Sequence, residues 1–209
     1  KCSNLQTIDA SNLSKVGNYA FAVCKNLSSI NIENATSIGQ SAFEGCSAMT
    51  DADTRNAVTI GDAAFKDCSA LASVNLEKVE TINSQSFIRC SSLVTVDAPL
   101  LTTMNGDYNF NGCSNLKKAN APNLKNIASY AFMNVPIEEF IGDKIETTGN
   151  YSFHKCAKLG GEFNKPVLRA IGYASMSNVA ITSLIVPSIV TIEGGDSYNS
   201  AVSNCKSLT

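Results

Sequence analysis

Apolar and polar residues alternate along this chain in a pattern that repeats about every 22 residues. Within each repeat, a segment such as Leu27-x-x-Ile30-x-Ile32 ends in strict alternation, which is typical of a strand with one buried face. A polar stretch follows, and each repeat then closes with an Ala-Phe-x-x-Cys segment, as at Ala42 to Cys46. The pattern therefore predicts one strand per repeat, with turns or a short helical segment returning the chain to the next strand.

A Phe-x-x-Cys motif marks the repeat most clearly. The first four steps between successive cysteines, from Cys2 to Cys90, are 22 residues each, and the step to Cys113 is 23. Val135 and Val179 occupy the cysteine position in later repeats. Complete copies of the motif are Phe21/Cys24, Phe43/Cys46, Phe65/Cys68, Phe87/Cys90, Phe110/Cys113 and Phe153/Cys156. A fixed period of this length predicts a solenoid in which one structural unit is stacked on the next.

We expect the units to form a single solenoid over residues 1–209, with about nine to ten units of about 22–23 residues. Neighbouring strands of a sheet lie about 4.8 Å apart, so residues of the same register should lie above one another. The sequence thus predicts ladders of Phe, of Cys or Val, and of aliphatic residues in the interior. Both ends of the chain fall within a unit, so we expect a fragment of a longer protein. Residues Glu193 to Ser200 depart from the register and are interpreted as an insertion.

Proline and glycine predict where each repeat turns. Four prolines share one position just after the strand, where a fixed φ and a missing N–H suit a turn: Pro99, Pro122, Pro166 and Pro187. A glycine after an isoleucine offers a position that can adopt a positive φ. We expect such a conformation at Gly39, Gly61 and Gly172.

The consensus Cys-x-x-Leu-x-x-Ile-x-Ile-(Pro)-x-x-Val-x-x-Ile-Gly-x-x-Ala-Phe-x-x-Cys resembles the BspA-type leucine-rich repeat, most plainly from Cys24 to Cys113. The resemblance extends over essentially all 209 residues. It implies a repeat solenoid, a leucine-rich-repeat arc with one parallel β-sheet face and short turns or helical segments on the opposite side. Family members are usually secreted or surface-anchored proteins of bacteria and some protozoan parasites, associated with adhesion to host matrix proteins and other cells. The resemblance therefore implies an extracellular or cell-surface location.

Composition and charge narrow the classes of partner. Only 16% of the residues are charged, the formal net charge is −2 and the isoelectric point is near 5.4. Such a chain offers no basic surface for a nucleic-acid backbone or an anionic membrane. No run of about 18 apolar residues is present to span a bilayer. The sequence therefore predicts no nucleic-acid partner and no direct insertion of this fragment into a membrane.

The cysteines are interpreted as free and buried thiols. Stacked cysteines would lie within the Cα range of a disulfide, but Cys156 and Cys205 have Val135 or Val179 as ladder neighbours. Since Val interchanges with Cys, the position behaves as a small buried apolar site. A zinc site is not expected, because no Cys-x-x-Cys or Cys/His cluster exists, and His154 is interpreted as a surface residue.

Catalytic signatures are absent from the sequence. It contains no Gly-x-Ser-x-Gly elbow, no glycine-rich phosphate loop ending in Lys-Ser/Thr and no His-Glu-x-x-His. We therefore expect no enzyme activity, no metal and no cofactor.

The outward side of the strands is the candidate ligand-binding face. Two polar columns flank the central apolar residue of each strand, and their members are Thr7, Asp9, Ser29, Asn31, Asp51, Asp53, Ser73, Asn75, Thr95, Asp97, Lys118 and Asn120. One column alternates acid and amide from Asp9 to Asn120, so amides are able to bridge carboxylates of neighbouring units. The face is thus either a solvated surface stabilised by that bridging or a mildly acidic docking surface for an extended partner, with calcium between carboxylates as a variant. Ile141 and Ile185 interrupt the polar column and are candidate apolar contacts.

Taken with the resemblance, these features predict a surface-exposed binding or adhesion module that recognises a protein or glycan of a host or neighbouring cell. Avidity over a long rigid face, rather than a single pocket, would supply affinity. The alternative is a structural spacer that holds another domain away from the cell surface. An enzyme with a grafted site is the least favoured interpretation.

Overall fold

The computed structural model describes residues 2–194 and 200–209 of the chain. These residues form short strands joined by turns, and no helix occurs among them. In chain order the strands are β1 (Thr7–Asp9), β2 (Lys15–Val16), β3 (Ser29–Asn31), β4 (Ser37–Ile38), β5 (Asp51–Ala52), β6 (Thr59–Ile60), β7 (Ser73–Val74), β8 (Thr81–Ile82), β9 (Thr95–Asp97), β10 (Thr103–Met104), β11 (Lys118–Asn120), β12 (Asn126–Ile127), β13 (Glu139–Ile141), β14 (Thr147–Thr148), β15 (Gly160–Asn164), β16 (Ala170–Ile171), β17 (Ala180–Ile185) and β18 (Thr191–Ile192).

Each turn of the solenoid, here called a coil, contributes one odd-numbered and one even-numbered strand. All pairings are parallel, and partners have the same register, as in Ile8 opposite Ile30 and Ile38 opposite Ile60. Odd strands pair as β1-β3, β5-β7, β9-β11-β13 and β15-β17, whereas even strands form β2-β4-β6-β8-β10 and β12-β14-β16-β18. The predicted solenoid with a parallel sheet face is confirmed. The even-numbered sheet is an addition, since the sequence predicted a single sheet.

A stack of phenylalanine rings fills the core, as predicted. Consecutive rings have centroids 5.3 to 5.5 Å apart and interplanar angles from 0° to 13°. The rings belong to Phe21, Phe43, Phe65, Phe87, Phe110, Phe132 and Phe153. All but Phe21, which is half-buried, are at most 1% exposed. Aromatic pairs of this kind add to the free energy gained from burial.

The Ala-Phe-x-x-Cys segment is a succession of turns, so the helical alternative is wrong. Its N–H groups alternate between two kinds of acceptor. Tyr19 and Phe21 donate to carbonyls of the next coil, whereas Ala20 and Ala22 donate to the carbonyl three residues earlier. The alternation requires left-handed backbone at Tyr19 (φ 57°) and Val23 (φ 61°), and the corresponding residues of other coils repeat it. A helix would direct every N–H along its own axis and leave the next coil without partners.

The prediction that the glycines after isoleucine adopt a positive φ is wrong. Gly39, Gly61 and Gly172 do not have a positive φ. A Cβ on Gly39 would lie 2.7 Å from the backbone N of Asn18, and one on Gly61 would lie 2.7 Å from the backbone N of Gln40. These glycines therefore permit close approach of backbones in adjacent coils. The four prolines do occupy turns, as expected.

The 23-residue step is absorbed in one exposed turn. Met104 remains in register with Ile82, and Gln85 donates its N–H to the carbonyl that precedes Tyr108. Two residues, Gly106 and Asp107, thus occupy a place where other coils have one, and both are exposed. The core register resumes at once, since Phe110 stacks on Phe87.

All eight cysteines are free, as predicted, although Cys2 is exposed and Cys205 is half-buried. The buried thiols also form a hydrogen bond that the sequence did not suggest. The thiol of Cys68 donates to the carbonyl of Phe43 over 3.1 Å, and that of Cys90 donates to the carbonyl of Phe65 over 3.1 Å. Each cysteine thereby ties its coil to the preceding one. Burial raises the pKa of Cys113 to about 12.

A lysine replaces the apolar residue at one core position. Lys165 is only 7% exposed, and its Nζ lies 5.2 Å from the ring centroid of Phe163 and 5.8 Å from that of Phe140. No ion pair involves it among the described residues. Burial lowers the pKa of Lys165, with Asp143 opposing the shift. The insertion predicted for residues Glu193 to Ser200 lies largely outside the described residues.

We expect Phe87→Ala to lower the free energy of unfolding by about 3–5 kcal/mol, because a fully buried ring stacked on both sides is removed. Phe21→Ala is the matched control, since Phe21 is half-buried and its loss should cost much less. Urea denaturation followed by circular dichroism measures both variants. Equal effects at the two positions would contradict the role given to the ladder.

Alkylation of the native protein with iodoacetamide at pH 8 should modify Cys2 rapidly and Cys205 slowly, and leave the other cysteines intact. Burial raises the pKa of Cys46 to about 12, so the reactive thiolate is scarce as well as inaccessible. Denatured protein, as the control, should react at all 8 cysteines. Peptide mass spectrometry identifies the modified sites, and rapid labelling of Cys68 in the folded protein would contradict the structure.

Lys165→Met should increase the free energy of unfolding at pH 7. The folded pKa of Lys165 lies below its ordinary value of 10.5, so the wild-type protein gains stability as pH rises through the folded pKa to 10.5. The advantage of the variant should therefore shrink from pH 7 to pH 10.5. Chemical denaturation at several pH values tests this, with Lys125→Met at an exposed position as the control for loss of a lysine.

Candidate ligand-binding face

The twelve residues predicted for the site lie together on the outward side of the odd-numbered strands, here called the strand face. Parallel pairing places them in two columns, with Thr7 opposite Ser29 and Asp9 opposite Asn31. Their side chains are exposed or half-buried, whereas the residues between them, such as Ile30, point into the core. The structure therefore assembles every predicted member of the site on one surface.

Three open grooves follow one another along this face. The largest, of about 670 Å³, lies over Ala52 and is bordered by Asp51, Asp53 and Asp97. A groove of about 470 Å³ lies on the side of β1, and one of about 320 Å³ lies over Ala119. Each groove spans neighbouring strands and is lined by the polar residues on either side of the buried central residue. The result is a continuous shallow trough rather than an enclosed pocket.

The acid and amide column was expected to be held by bridges between coils, but the first four coils use a different bond. The Oδ1 atom of Asp9 accepts the backbone N–H of Ser11 at 3.1 Å, and Oδ1 of Asn75 accepts that of Glu77 at 3.1 Å. Asn31 and Asp53 do the same, at 3.3 Å each. This is an Asx turn, in which the side chain caps the loop two residues on. The prediction of bridging is therefore wrong for these coils.

Bridging does occur at the one pair where the Asx turn is impossible. Asn120 donates its Nδ2–H to Oδ1 of Asp97 over 2.8 Å. The residues two positions later are Pro99 and Pro122, which have no backbone N–H to donate. Both side chains are thus released from the local turn and bond to each other. The position of proline decides which of the two hydrogen bonds is made.

Asp53 also forms an ion pair with Arg55. The guanidinium of Arg55 donates from Nε to its Oδ1 at 2.9 Å and from a terminal nitrogen to its Oδ2. This pairing is the main cause that lowers the pKa of Asp53, and the Ser11 N–H lowers that of Asp9. Both carboxyl groups are therefore ionised at neutral pH.

Charge is concentrated on the first five coils of the strand face. Asp9, Glu33, Asp51, Asp53, Glu77 and Asp97 border the two larger grooves, with Arg55 as the basic residue there. Six of the 18 acidic residues and one of the 16 basic residues give this region a formal charge of −5 and leave +3 for the rest of the chain. Sequence reasoning missed Glu33, Arg55 and Glu77. Their shared register, two residues after the polar column, was the available signal.

The later coils of the strand face differ in character. Lys118 pairs with Glu139 at 2.8 Å, and this neighbour raises the lysine pKa. Ile141 and Ile185 are 38% and 39% exposed, so they remain candidate apolar contacts as the sequence indicated. The strand face thus passes from an acidic part to a part that is nearly neutral and partly apolar.

Metal ligands and the single histidine are the remaining candidates for chemistry. No group of three or more His, Cys, Asp or Glu side chains within residues 2–194 and 200–209 is arranged to hold a metal ion, so calcium between the carboxylates finds no support. His154 is half-buried rather than a plain surface residue, and its ring meets that of Tyr151 edge-on at 5.3 Å. Burial lowers the pKa of His154. In the described part of the chain there is no helix with the length and apolar character needed to span a bilayer.

Comparison with known proteins gives one family and several related structures. A family model described as a BspA type leucine rich repeat region matches in 6 copies over residues 1–117 and 101–209. A leucine-rich repeat protein of T. pallidum has 25% identity and a TM-score of 0.67, with 74% of this chain and 78% of that chain covered. The comparison with curated proteins gives no match.

Two further crystal structures share the fold. A leucine-rich repeat protein from Bacteroides ovatus has 22% identity and a TM-score of 0.69, and the match covers 100% of this chain and 66% of that one. A leucine rich cell surface protein from Faecalibacterium prausnitzii has 22% identity and a TM-score of 0.67, with 94% and 70% covered. Each of these proteins is longer than the part that this chain matches.

Proposed function

The chain belongs to the BspA-type leucine-rich repeat family, and from this premise we propose that it is a surface-exposed binding module. Its ligand is a protein or glycan of a host or neighbouring cell, and its role is adhesion. The family and the fold are those of leucine-rich repeat proteins.

The trough along the strand face is the observation that carries this proposal. Three adjoining grooves, of about 670, 470 and 320 Å³, run across the coils without an enclosed pocket between them. Such a surface suits an extended or repetitive ligand, which contacts many coils at once. Affinity then comes from several weak contacts made together.

Rigidity of the support favours the same role. The stacked rings beneath the strand face are fully buried from Phe43 to Phe153. The columns above them therefore keep their relative positions without a ligand, and less conformational entropy is lost on binding. The cell-surface description of the Faecalibacterium prausnitzii structure supports an extracellular location for this chain too.

The same rigidity is what a structural spacer needs, and this is the second candidate. A spacer would hold another domain at a distance and would itself bind nothing. The concentration of −5 charge on one part of one face favours binding over spacing, because a spacer has no need to separate its charges.

Binding of the protein to immobilised matrix proteins and glycans tests the proposal. We expect saturable binding that is lost when Asp9, Asp53 and Asp97 are all changed to Lys, since the charge of the trough is reversed. The matched control changes Glu80, Asp107 and Glu193 to Lys, which alters the net charge equally away from the strand face. A folded protein that binds no ligand on the array would favour the spacer, and equal loss in both triple variants would show that only net charge matters.

A further inference from the structure

The strand face is interrupted where coil seven, which contains β13 and β14, meets coil eight, which contains β15 and β16. In the part of the chain that the structure describes, β13 pairs with β11 and β15 pairs with β17, and no backbone hydrogen bond joins β13 to β15. The strands at the other two breaks, β3/β5 and β7/β9, still run side by side, whereas β13 and β15 lie farther apart. Coils seven and eight therefore diverge on this side.

The two other sides of the same junction are closed. The strand β14 pairs in register with β16, with Thr148 opposite Ile171. At the turns, the N–H groups of Phe153 and Lys155 each donate to a carbonyl of coil eight over 2.9 Å. A junction that is bonded on two sides and unpaired on the third has the form of a hinge.

Aromatic side chains in the core explain why the two strands diverge. The inward position in the middle of the odd strands has an aliphatic residue such as Ile30 in other coils, but Phe140 in coil seven and Phe163 in coil eight. Both rings meet that of Phe153 edge-on, at 5.1 Å and 6.0 Å and with interplanar angles of 72° and 73°. Since the ladder rings lie across the solenoid axis, edge-on rings extend along it. They take up more of its length than the about 4.8 Å between paired strands.

Lys165 places a charge in the same part of the core. The residue is only 7% exposed, and its Nζ lies 5.8 Å from the ring centroid of Phe140 and 5.2 Å from that of Phe163. A buried ammonium group loses its hydration, and two aromatic rings replace only part of it. Separation of β13 from β15 would let water reach the ammonium group, so its charge favours an open form of the junction.

The ladders that join other coils are also broken at this junction. The stack of phenylalanine rings ends at Phe153, because coil eight has Met176 in that position. The thiol of Cys156 donates to the carbonyl of Phe132 over 3.0 Å, but the next residue of that column, Val179, has no donor for the carbonyl of Phe153. No other junction within residues 2–194 and 200–209 lacks strand pairing, ring stacking and the thiol bond together.

From these features we propose that the junction of coils seven and eight is a hinge that opens on the strand face. Coils one to seven form one rigid body, and coils eight and nine form the other. The β14–β16 pairing and the turns hold the two bodies together, whereas β13 and β15 are the edges that separate. Ile141 and Ile185 then lie on different bodies, so the distance between these two apolar residues changes as the hinge opens. The inference goes beyond the proposed function and holds without any ligand.

Distances between pairs of spin labels, measured by pulsed electron paramagnetic resonance, test the hinge. Labels at Thr95→Cys and Ser183→Cys span the junction on the strand face. The matched control, Thr7→Cys with Thr95→Cys, has the same span of four coils, about 20 Å, within coils one to five. A Cys2→Ser, Cys205→Val background leaves only buried native thiols, which do not react. We expect the distance distribution across the junction to be about twofold broader than the control and displaced to longer distances.

A pair on the side of the even-numbered strands separates a hinge from fraying of the last coil. Labels at Thr102→Cys and Val190→Cys also span coils five to nine, but they lie on the side that stays bonded at the junction. Their distribution should be as narrow as that of the control. A distribution as broad as that of the strand-face pair would overturn the hinge, since coil nine would then move on both sides.

Replacement of the buried lysine tests the cause of opening. Lys165→Met should narrow the distribution of the Thr95/Ser183 pair, because no charge then gains hydration on opening. Lys125→Met, at an exposed position, should leave it unchanged. Equal breadth of the two strand-face pairs would overturn the hinge itself. A broad distribution that Lys165→Met does not narrow would overturn the role given to the ammonium group.

Discussion

Stacking of identical register positions is the constraint on which the rest of this structure depends. Parallel pairing places each residue directly above its counterpart one coil away, so every side chain must pack against a copy of itself or of a close substitute. Phenylalanine meets the condition by stacking its rings 5.3 to 5.5 Å apart. Cysteine meets it by donating its thiol to the preceding coil's phenylalanine carbonyl. Lys165 departs from this rule, and the rings of Phe140 and Phe163 lie beneath its ammonium group.

The same constraint creates an electrostatic difficulty on the outside of the sheet. A column of identical carboxylates about 4.8 Å apart would repel strongly. Amides at Asn31 and Asn75 double that separation, and the backbone takes up one oxygen of several of the remaining carboxylates. What remains is a column in which neutral amides separate the carboxylates.

Much of this architecture was predictable from the sequence, because period and register need no knowledge of contacts. The core ladders and all twelve strand-face residues follow from spacing alone. The even-numbered sheet could not be predicted, since strands of two residues such as Thr59–Ile60 are too short to show alternation. The left-handed backbone at Tyr19 could not be predicted either, because tyrosine has no preference for a positive φ. By contrast, the bond from Asn120 to Asp97 was predictable, since Pro99 and Pro122 have no backbone N–H that could compete for these side chains.

The single extra residue of the fifth coil shows how such a molecule can change in length. Gly106 and Asp107 lie on an exposed turn, and the stack of rings beneath them continues from Phe87 to Phe110 undisturbed. Insertions at this corner leave the periods of both sheets intact, whereas a one-residue insertion within a strand would exchange its inner and outer side chains. In evolution, insertions and deletions are therefore expected at these corners, or as whole coils, more often than within the strands.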